Sequence, residues 1–180
     1  MATSGLIRWG AIGFFLGGVT WLVLGLAAIF GYLQAISGRE DDVVLYVVAL
    51  LFTAAGLVGL HTLQKESYGL LGQAGLYFTL VAITVRILGA VIFLAGSSAL
   101  ERISLPATLS MLVGLVVYGV ATFRAGVLPR WYGLVLIFAM PTSLPLSVYG
   151  TALFGLILAV LGYVLWLHRE AATEQPSRVR

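Results

Sequence analysis

The chain of 180 residues contains no cysteine and no asparagine. The missing cysteines exclude disulfides, thiolate nucleophiles and cysteine-based metal sites, and the missing asparagines exclude N-glycosylation. Charge is scarce as well, because Asp, Glu, Lys and Arg make up 9% of the residues, whereas soluble domains carry roughly 25%. A hydrophobic fraction of 61% cannot be hidden inside a soluble fold of this size. The sequence therefore predicts a membrane protein.

Several kinds of chemistry are also missing. The net charge of +3 does not indicate nucleic-acid binding, because the basic residues are scattered between apolar runs. No HExxH, GxSxG, P-loop or dinucleotide fingerprint occurs, and no acid lies inside the long apolar runs. A carboxylate proton relay is therefore not expected, and an enzyme is the least favoured class of function.

The apolar runs predict an all-α fold, a polytopic bundle of six transmembrane helices. A crossing helix needs about 20 apolar residues, and the predicted helices cover residues 9–36, 43–63, 69–96, 103–123, 131–140 and 147–167. The fifth is short because Pro141 and Pro145 interrupt the last run, and it either crosses a thinned bilayer or enters and returns. Residues 1–169 are the predicted transmembrane domain, and residues 170–180 the predicted cytoplasmic tail.

The placement of charge favours six crossings, with both termini in the cytoplasm. That topology leaves seven basic residues on the inner side and two on the outer side, as the positive-inside rule requires. The inner residues are Arg8, Lys65, Arg124, Arg130, Arg169, Arg178 and Arg180, and the outer ones are Arg39 and Arg102 beside Glu40, Asp41, Asp42 and Glu101. Five crossings would place the C-terminal arginines outside.

Helices 1, 3 and 5 begin with an aromatic residue and glycine at intervals of about 60 residues, as in Trp9-Gly10 and Tyr68-Gly69. This spacing is one indication of three helical hairpins in series. The alternative is that every odd-numbered helix starts at the same interface, where aromatic residues are favoured in any case. Tyr46 and Tyr149 are assigned to the outer aromatic belt by the same rule, whereas Trp21 lies deeper and either lines a cavity or packs in the core.

Arg86 is the only charged residue inside a long apolar run, and it is the best indication of a functional site. A guanidinium in hydrocarbon costs several kcal/mol unless something pairs with it. Its helical neighbours are mostly small, so its side chain is predicted to face the bundle. Those neighbours are Ala82, Ile83, Gly89 and Ala90, with Thr79 one turn further.

The predicted partners of Arg86 are backbone carbonyls near Ile137 and Pro141, which the prolines leave without donors. In one hypothesis Arg86 lines a cavity facing this broken segment and binds an anionic or carbonyl-bearing ligand. In the other it is a static clamp that fixes the proline break. The candidate ligand site comprises Arg86, Thr79, Tyr77, Tyr118, Pro141 and Pro145, although core packing is the more usual role of deep tyrosines.

His61 and His168 are the only histidines, and both are predicted at the cytoplasmic ends of their helices. Two imidazoles at similar depth could ligate haem or another tetrapyrrole. Interfacial histidines are the favoured interpretation, so neither a cofactor nor a metal is predicted.

Two segments, residues 125–133 (AGVLPRWYG) and 60–66 (LHTLQKE), resemble segments of small bacterial multi-pass membrane proteins of unknown function, common in actinobacteria and related phyla. The likeness is strongest over residues 59–75 and 124–141. It implies a bacterial plasma membrane and no particular activity. The size and helix count are also similar to those of the substrate-binding subunits of energy-coupling-factor vitamin transporters, without a shared residue motif.

The favoured functional hypothesis is an accessory or structural subunit of a larger membrane assembly, because the loops are short and no soluble domain is present. The second is a small-molecule or lipid binding or transport protein with its site around Arg86 and the Pro141/Pro145 break. The expected partners are the lipid bilayer and either other membrane subunits or further copies of the chain, and nucleic acid is not among them.

Overall fold

The computed structural model describes residues 2–31, 40–96 and 99–174, apart from some side chains at helix ends. This part of the chain is helical and contains no strand. The helices are α1 (Ala2–Ile29), α2 (Glu40–Gln64), α3 (Gly69–Leu94), α4 (Ala99–Ala125), α5 (Arg130–Ser143) and α6 (Ser147–Glu174). The predicted all-α class is confirmed.

Five helices are long and apolar enough to cross a membrane, namely Gly5–Ile29, Val43–Gln64, Gly69–Leu94, Leu105–Ala125 and Tyr149–Leu167. The exception is α5, which has 14 residues and measures only about 21 Å at 1.5 Å per residue. The hydrocarbon core of a bilayer is about 30 Å thick. The sixth crossing is therefore not confirmed by length and composition.

The first and last helices differ most from their predicted bounds. The α1 helix begins seven residues before the predicted start at residue 9 and ends at Ile29. The chain then turns at Gly31, whose φ of 74° is a conformation that glycine adopts without strain. The predicted continuation over residues 32–36 lies outside the described residues. The α6 helix continues to Glu174, beyond the predicted domain end at residue 169, and residues 175–180 of the predicted tail are likewise not described.

The α5 helix does not end before Pro141, as predicted, but continues through it to Ser143. A proline inside a helix removes the hydrogen bond to the carbonyl four residues earlier, here that of Ile137. The two hydroxyl side chains that follow bond back into the helix, since Thr142 donates to the carbonyl of Phe138 at 2.6 Å and Ser143 donates to that of Ala139. The interruption is instead the turn at residues 144–146.

The helices form two halves. The first half contains α1, α2 and α6, because α1 packs extensively against both α2 and α6. The second half contains α3, α4 and α5, in which α4 packs against α3 and α5. The two halves meet mainly through the less extensive α2–α3 and α5–α6 contacts. Three hairpins in series are not confirmed, because α5 and α6 pack less closely on each other than on other helices.

Glycines allow α1 and α2 to pack closely in the first half. Gly10 of α1 lies directly against Gly59 of α2, and a side chain at either position would collide with the other backbone. Small residues allow helices to approach in this way in membranes, where van der Waals packing replaces the hydrophobic effect. The interface between the two halves is less extensive, and two polar pairs meet across it, Arg86 with Tyr46 and Thr122 with Gln64.

Candidate functional site

Arg86 lies on α3, eight residues before the last residue of the helix, Leu94. At 1.5 Å per residue this places it about 12 Å from the helix end. The side chain is part-buried, and its face of the helix includes the buried residues Ala82, Ile83 and Ala90. The face expected to point into the bundle does so.

Two hydroxyl groups hold the guanidinium. Its Nε donates a hydrogen bond to the phenol oxygen of Tyr46 on α2, and the Tyr46 ring centroid lies 5.2 Å from the guanidinium carbon. Its Nη1 donates to the hydroxyl of Thr108 on α4 at 2.8 Å. Hydrogen bonds from a charged donor are the stronger kind. The bond to Tyr46 joins the two halves of the bundle, whereas Thr108 belongs to the same half as Arg86.

These partners differ from the expected ones. Among the described residues, the carbonyls of Ile137 and Pro141 do not accept a hydrogen bond from Arg86, whose donors go to hydroxyls instead. The reason is that α5 continues through Pro141, so the carbonyls stay on a helix while hydroxyls on α2 and α4 lie within reach. Glu66, at the other end of the bundle, is the one acid whose side chain is described. The side chains of Glu40, Asp41, Asp42 and Glu101 lie outside the described residues.

Arg86 lines a cleft of about 370 Å³ between the two halves, which we call the Arg86 cleft. The second half contributes Arg86, Thr108, Met111, Met140, Ser143 and Leu144, and the first half contributes Trp21, Gly150, Thr151 and Phe154. This volume lies at the lower end of the range for small-molecule sites, about 300–1,000 Å³. The cleft combines one cation and several hydroxyls with two large aromatic rings.

Contacts with buried residues hold the aromatic side chains of the cleft in place. Trp21 donates from its indole Nε1 to the hydroxyl of Thr53 at 3.1 Å. Its ring meets Tyr46 edge to face, with centroids 5.6 Å apart, and meets Phe154 at 5.9 Å. Edge-to-face pairs are a favoured aromatic geometry. The tyrosine that holds the guanidinium is therefore itself held by a buried, hydrogen-bonded tryptophan.

The opposite wall is formed where α5 meets α6. Gly150 of α6 lies so close to the backbone carbonyl of Ser143 on α5 that no side chain fits between them. The Ser143 hydroxyl is turned back towards the carbonyl of Ala139 within its own helix. The cleft is thus bounded on this side by backbone that has little room to move.

The other predicted site residues do not line the cleft. Tyr77 is 60% exposed and points away from the bundle. Thr79 is buried and donates to a carbonyl of its own helix at 2.8 Å, and Tyr118 is fully buried farther along α4. Pro141 lies within α5 and Pro145 in the following turn, next in the chain to residues that do line the cleft.

The sequence interpretation missed Tyr46 and Thr108 as partners of Arg86. The sequence pattern assigns Tyr46 to the outer aromatic belt and does not distinguish Thr108 from other hydroxyl residues. The distance of each residue from its helix end could have indicated the pairing. Tyr46 lies six residues from the start of α2, Thr108 nine from the start of α4, and Arg86 eight from the end of α3. All three ends lie on the same side of the bundle. Matching hydroxyls to the depth of the arginine would have found both.

Only one of the two histidine side chains is described. His61 lies beside Tyr68, with ring centroids 5.6 Å apart, whereas the side chain of His168 is outside the described residues. No group of three or more His, Asp or Glu side chains that could hold a metal occurs among the described residues. A tetrapyrrole between the two histidines stays an untested prediction.

Comparison with protein-family models, curated proteins and solved structures finds nothing similar to this chain. The resemblance to small bacterial membrane proteins therefore stays a prediction.

Proposed function

We propose that this protein is a multi-pass membrane protein that binds a small anionic molecule with an apolar body in the Arg86 cleft. The observation that carries the proposal is a guanidinium with unused donors that lines a cleft of about 370 Å³ between the two halves of the bundle. Binding is the core of the proposal, and transport is its extension if the halves move apart.

The charge and donors of Arg86 support an anionic ligand. A guanidinium has five N–H donors, and two of its nitrogens are used by Tyr46 and Thr108. Nη2 donates to no described residue and is not among the buried atoms that lack a partner. Because Arg86 lines the cleft, we infer that this nitrogen is available to a ligand there. Carboxylates and phosphates suit these donors. An anion would also offset the cost of a cation held inside an apolar bundle.

The remaining lining supports an apolar body on the same ligand. The lining includes two aromatic residues, Trp21 and Phe154, and two flexible thioethers, Met111 and Met140. Methionine adapts to irregular apolar shapes and makes favourable contacts with aromatic groups. A bare inorganic ion would leave this surface without contacts. Small aromatic or aliphatic acids fit both parts of the cleft.

The exterior of the bundle supports a membrane location. Large apolar side chains cover the outer surface, among them Leu70 at 83% and Phe30 at 70% exposure. We place the chain in the plasma membrane of a bacterium with six crossings, α5 crossing a locally thinned bilayer, and both termini in the cytoplasm. The basic residues Arg8, Lys65, Arg124 and Arg130 all lie at one end of the bundle, which fits a cytoplasmic end. The Arg86 cleft is then near the outer end.

The test uses benzoate, which has a carboxylate and an aromatic body. Purified protein in mild detergent is titrated by calorimetry, and Arg86→Gln is expected to bind about 10- to 100-fold more weakly, because a hydrogen bond to a charged group contributes about 1.5–3 kcal/mol. The control is Arg124→Gln, which removes the same charge from an exposed position at the other end of the bundle. Phosphatidylglycerol, tested separately, distinguishes a lipid headgroup from a free acid.

The proposal would be contradicted if Arg86→Gln bound benzoate as tightly as the unaltered protein. It would also be contradicted if the unaltered protein bound neither benzoate nor phosphatidylglycerol. If Arg86→Gln does not accumulate, Arg86→Lys keeps the charge while it removes the planar fork of donors. Failure of both variants to fold would favour the static clamp.

The sequence favours an accessory subunit, whereas the cleft lined by Arg86 favours ligand binding. The two hypotheses differ in what purifies with the protein. A stable partner protein in mild detergent, together with no binding of benzoate, would favour the subunit role.

A further inference from the structure

Four buried side-chain atoms have no hydrogen-bond partner among the described residues. They are His61 Nδ1, Gln64 Nε2, Tyr68 Oη and Tyr118 Oη. The four side chains, which we call the polar cluster, lie together: the ring centroids of His61 and Tyr68 are 5.6 Å apart, and those of Tyr68 and Tyr118 are 5.8 Å apart.

The polar cluster lies between the two halves, at the opposite end from the Arg86 cleft. Gln64 at the end of α2 accepts a hydrogen bond from Thr122 on α4 at 3.0 Å, which shows that these two helices meet there. Residues at helical spacing along each helix are polar at both ends and mostly apolar between them. The α2 set is Tyr46, Leu50, Thr53, Leu57, His61 and Gln64, and the α4 set is Thr108, Met111, Leu115, Tyr118 and Thr122.

The two ends are therefore separate sites. Leu57 is fully buried and Leu115 is 2% exposed, and these residues lie between the polar ends of α2 and α4. The cluster shares no residue with the lining of the Arg86 cleft. What occupies it is thus a question independent of the ligand of Arg86.

Leaving these atoms unpaired would be costly. A buried polar group without a partner costs about 1–3 kcal/mol, and four such groups exceed what a single core contact offsets. The fold pairs a comparable hydroxyl elsewhere, since the buried Tyr132 donates to the carbonyl of Leu161 at 3.0 Å. Gln64 has an unpaired amide atom in either orientation, because Thr122 bonds to only one end of the amide.

We propose that the polar cluster is a second internal site, which holds ordered water. One water molecule makes up to four hydrogen bonds and bridges buried polar groups in this way. The set of one imidazole, one amide and two phenols is uncharged or weakly basic, which suits water better than an anion or a metal. Water in the cluster would join α2 to α4 beside the direct hydrogen bond from Thr122 to Gln64.

The sign of a stability change tests the proposal. In Tyr118→Phe the ring stays and only the hydroxyl is lost. If water pairs with that hydroxyl, the midpoint of thermal unfolding falls by about 2–4 °C, as expected for the loss of one hydrogen bond in a chain of this size. If the hydroxyl is dry and unpaired, its removal relieves a penalty and the midpoint rises or stays the same, which would overturn the proposal.

Two further tyrosines calibrate the measurement. Tyr132→Phe loses a direct hydrogen bond and should lower the midpoint, whereas Tyr163→Phe, at a residue 58% exposed, should leave it nearly unchanged. Tyr68→Phe combined with Tyr118→Phe completes a double-mutant cycle, in which a shared water makes the two effects non-additive. Should Tyr118→Phe fail to fold, a high-resolution density map decides: a peak within about 3 Å of the Tyr118 oxygen supports the proposal, and an empty cluster overturns it.

Discussion

The hydrogen bond between Tyr46 and Arg86 makes a defined prediction for Tyr46→Phe. The substitution deletes one oxygen atom and leaves the ring that packs edge to face on Trp21 at 5.6 Å and lies 5.2 Å from the guanidinium carbon. Only the bond from Nε is lost, and that bond joins the two halves of the bundle. The variant therefore isolates one polar contact from the packing around it.

The expected loss of stability is about 1 kcal/mol. Hydrogen bonds between membrane helices average about 0.6 kcal/mol and reach about 1.7, while bonds to charged groups in soluble proteins contribute about 1.5–3 kcal/mol. The hydrogen bond from a part-buried guanidinium at a cleft should contribute an amount between these two values. For a chain of this size, each kcal/mol shifts the unfolding midpoint by about 2–4 °C.

Thermal unfolding of the purified protein in detergent, followed by tryptophan fluorescence, measures this shift. The matched control is Tyr149→Phe, because Tyr149 is 63% exposed and lies at the same end of the bundle. A midpoint for Tyr46→Phe that equals that of the control would refute the reasoning, since the guanidinium would then not depend on this hydroxyl.

Two further predictions concern the α5–α6 wall. Gly150→Ala places a Cβ against the Ser143 carbonyl and should cost about 1–3 kcal/mol from overpacking, whereas Gly5→Ala, with no atom within 4 Å of the added carbon, should not. Equal unfolding midpoints for the two variants would contradict the close contact. Pro141→Ala restores a donor for the carbonyl of Ile137 and should change the affinity for benzoate by less than about twofold. A larger loss of affinity would indicate that the Ile137 carbonyl takes part in ligand binding.

The broad architecture followed from the sequence because hydropathy and the turn residues act locally. Lack of charge and long apolar runs identified the long helices, and the orientation of Arg86 followed from the small residues at helical spacing around it. The interruption after the fifth helix was misplaced by a few residues. Pro141 removes a single hydrogen bond, and Thr142 and Ser143 bond back to the carbonyls of Phe138 and Ala139, so the helix continues past it.

The site itself was only partly predictable. Which hydroxyls reach Arg86 depends on how α2 and α4 pack against α3, and no local pattern encodes that packing. Tyr46 looks like any interfacial tyrosine until Trp21 and Arg86 are placed beside it. The division into two halves was also not readable, because α6 returns to α1 from the far end of the chain.

The most direct test of the central claim is a density map of the protein with 4-bromobenzoate, whose bromine marks the ligand. The account predicts density in the Arg86 cleft, beside Trp21 and Phe154, with the carboxylate within about 3 Å of the Arg86 guanidinium. Density bound elsewhere, with the Arg86 cleft empty at a saturating concentration, would contradict it.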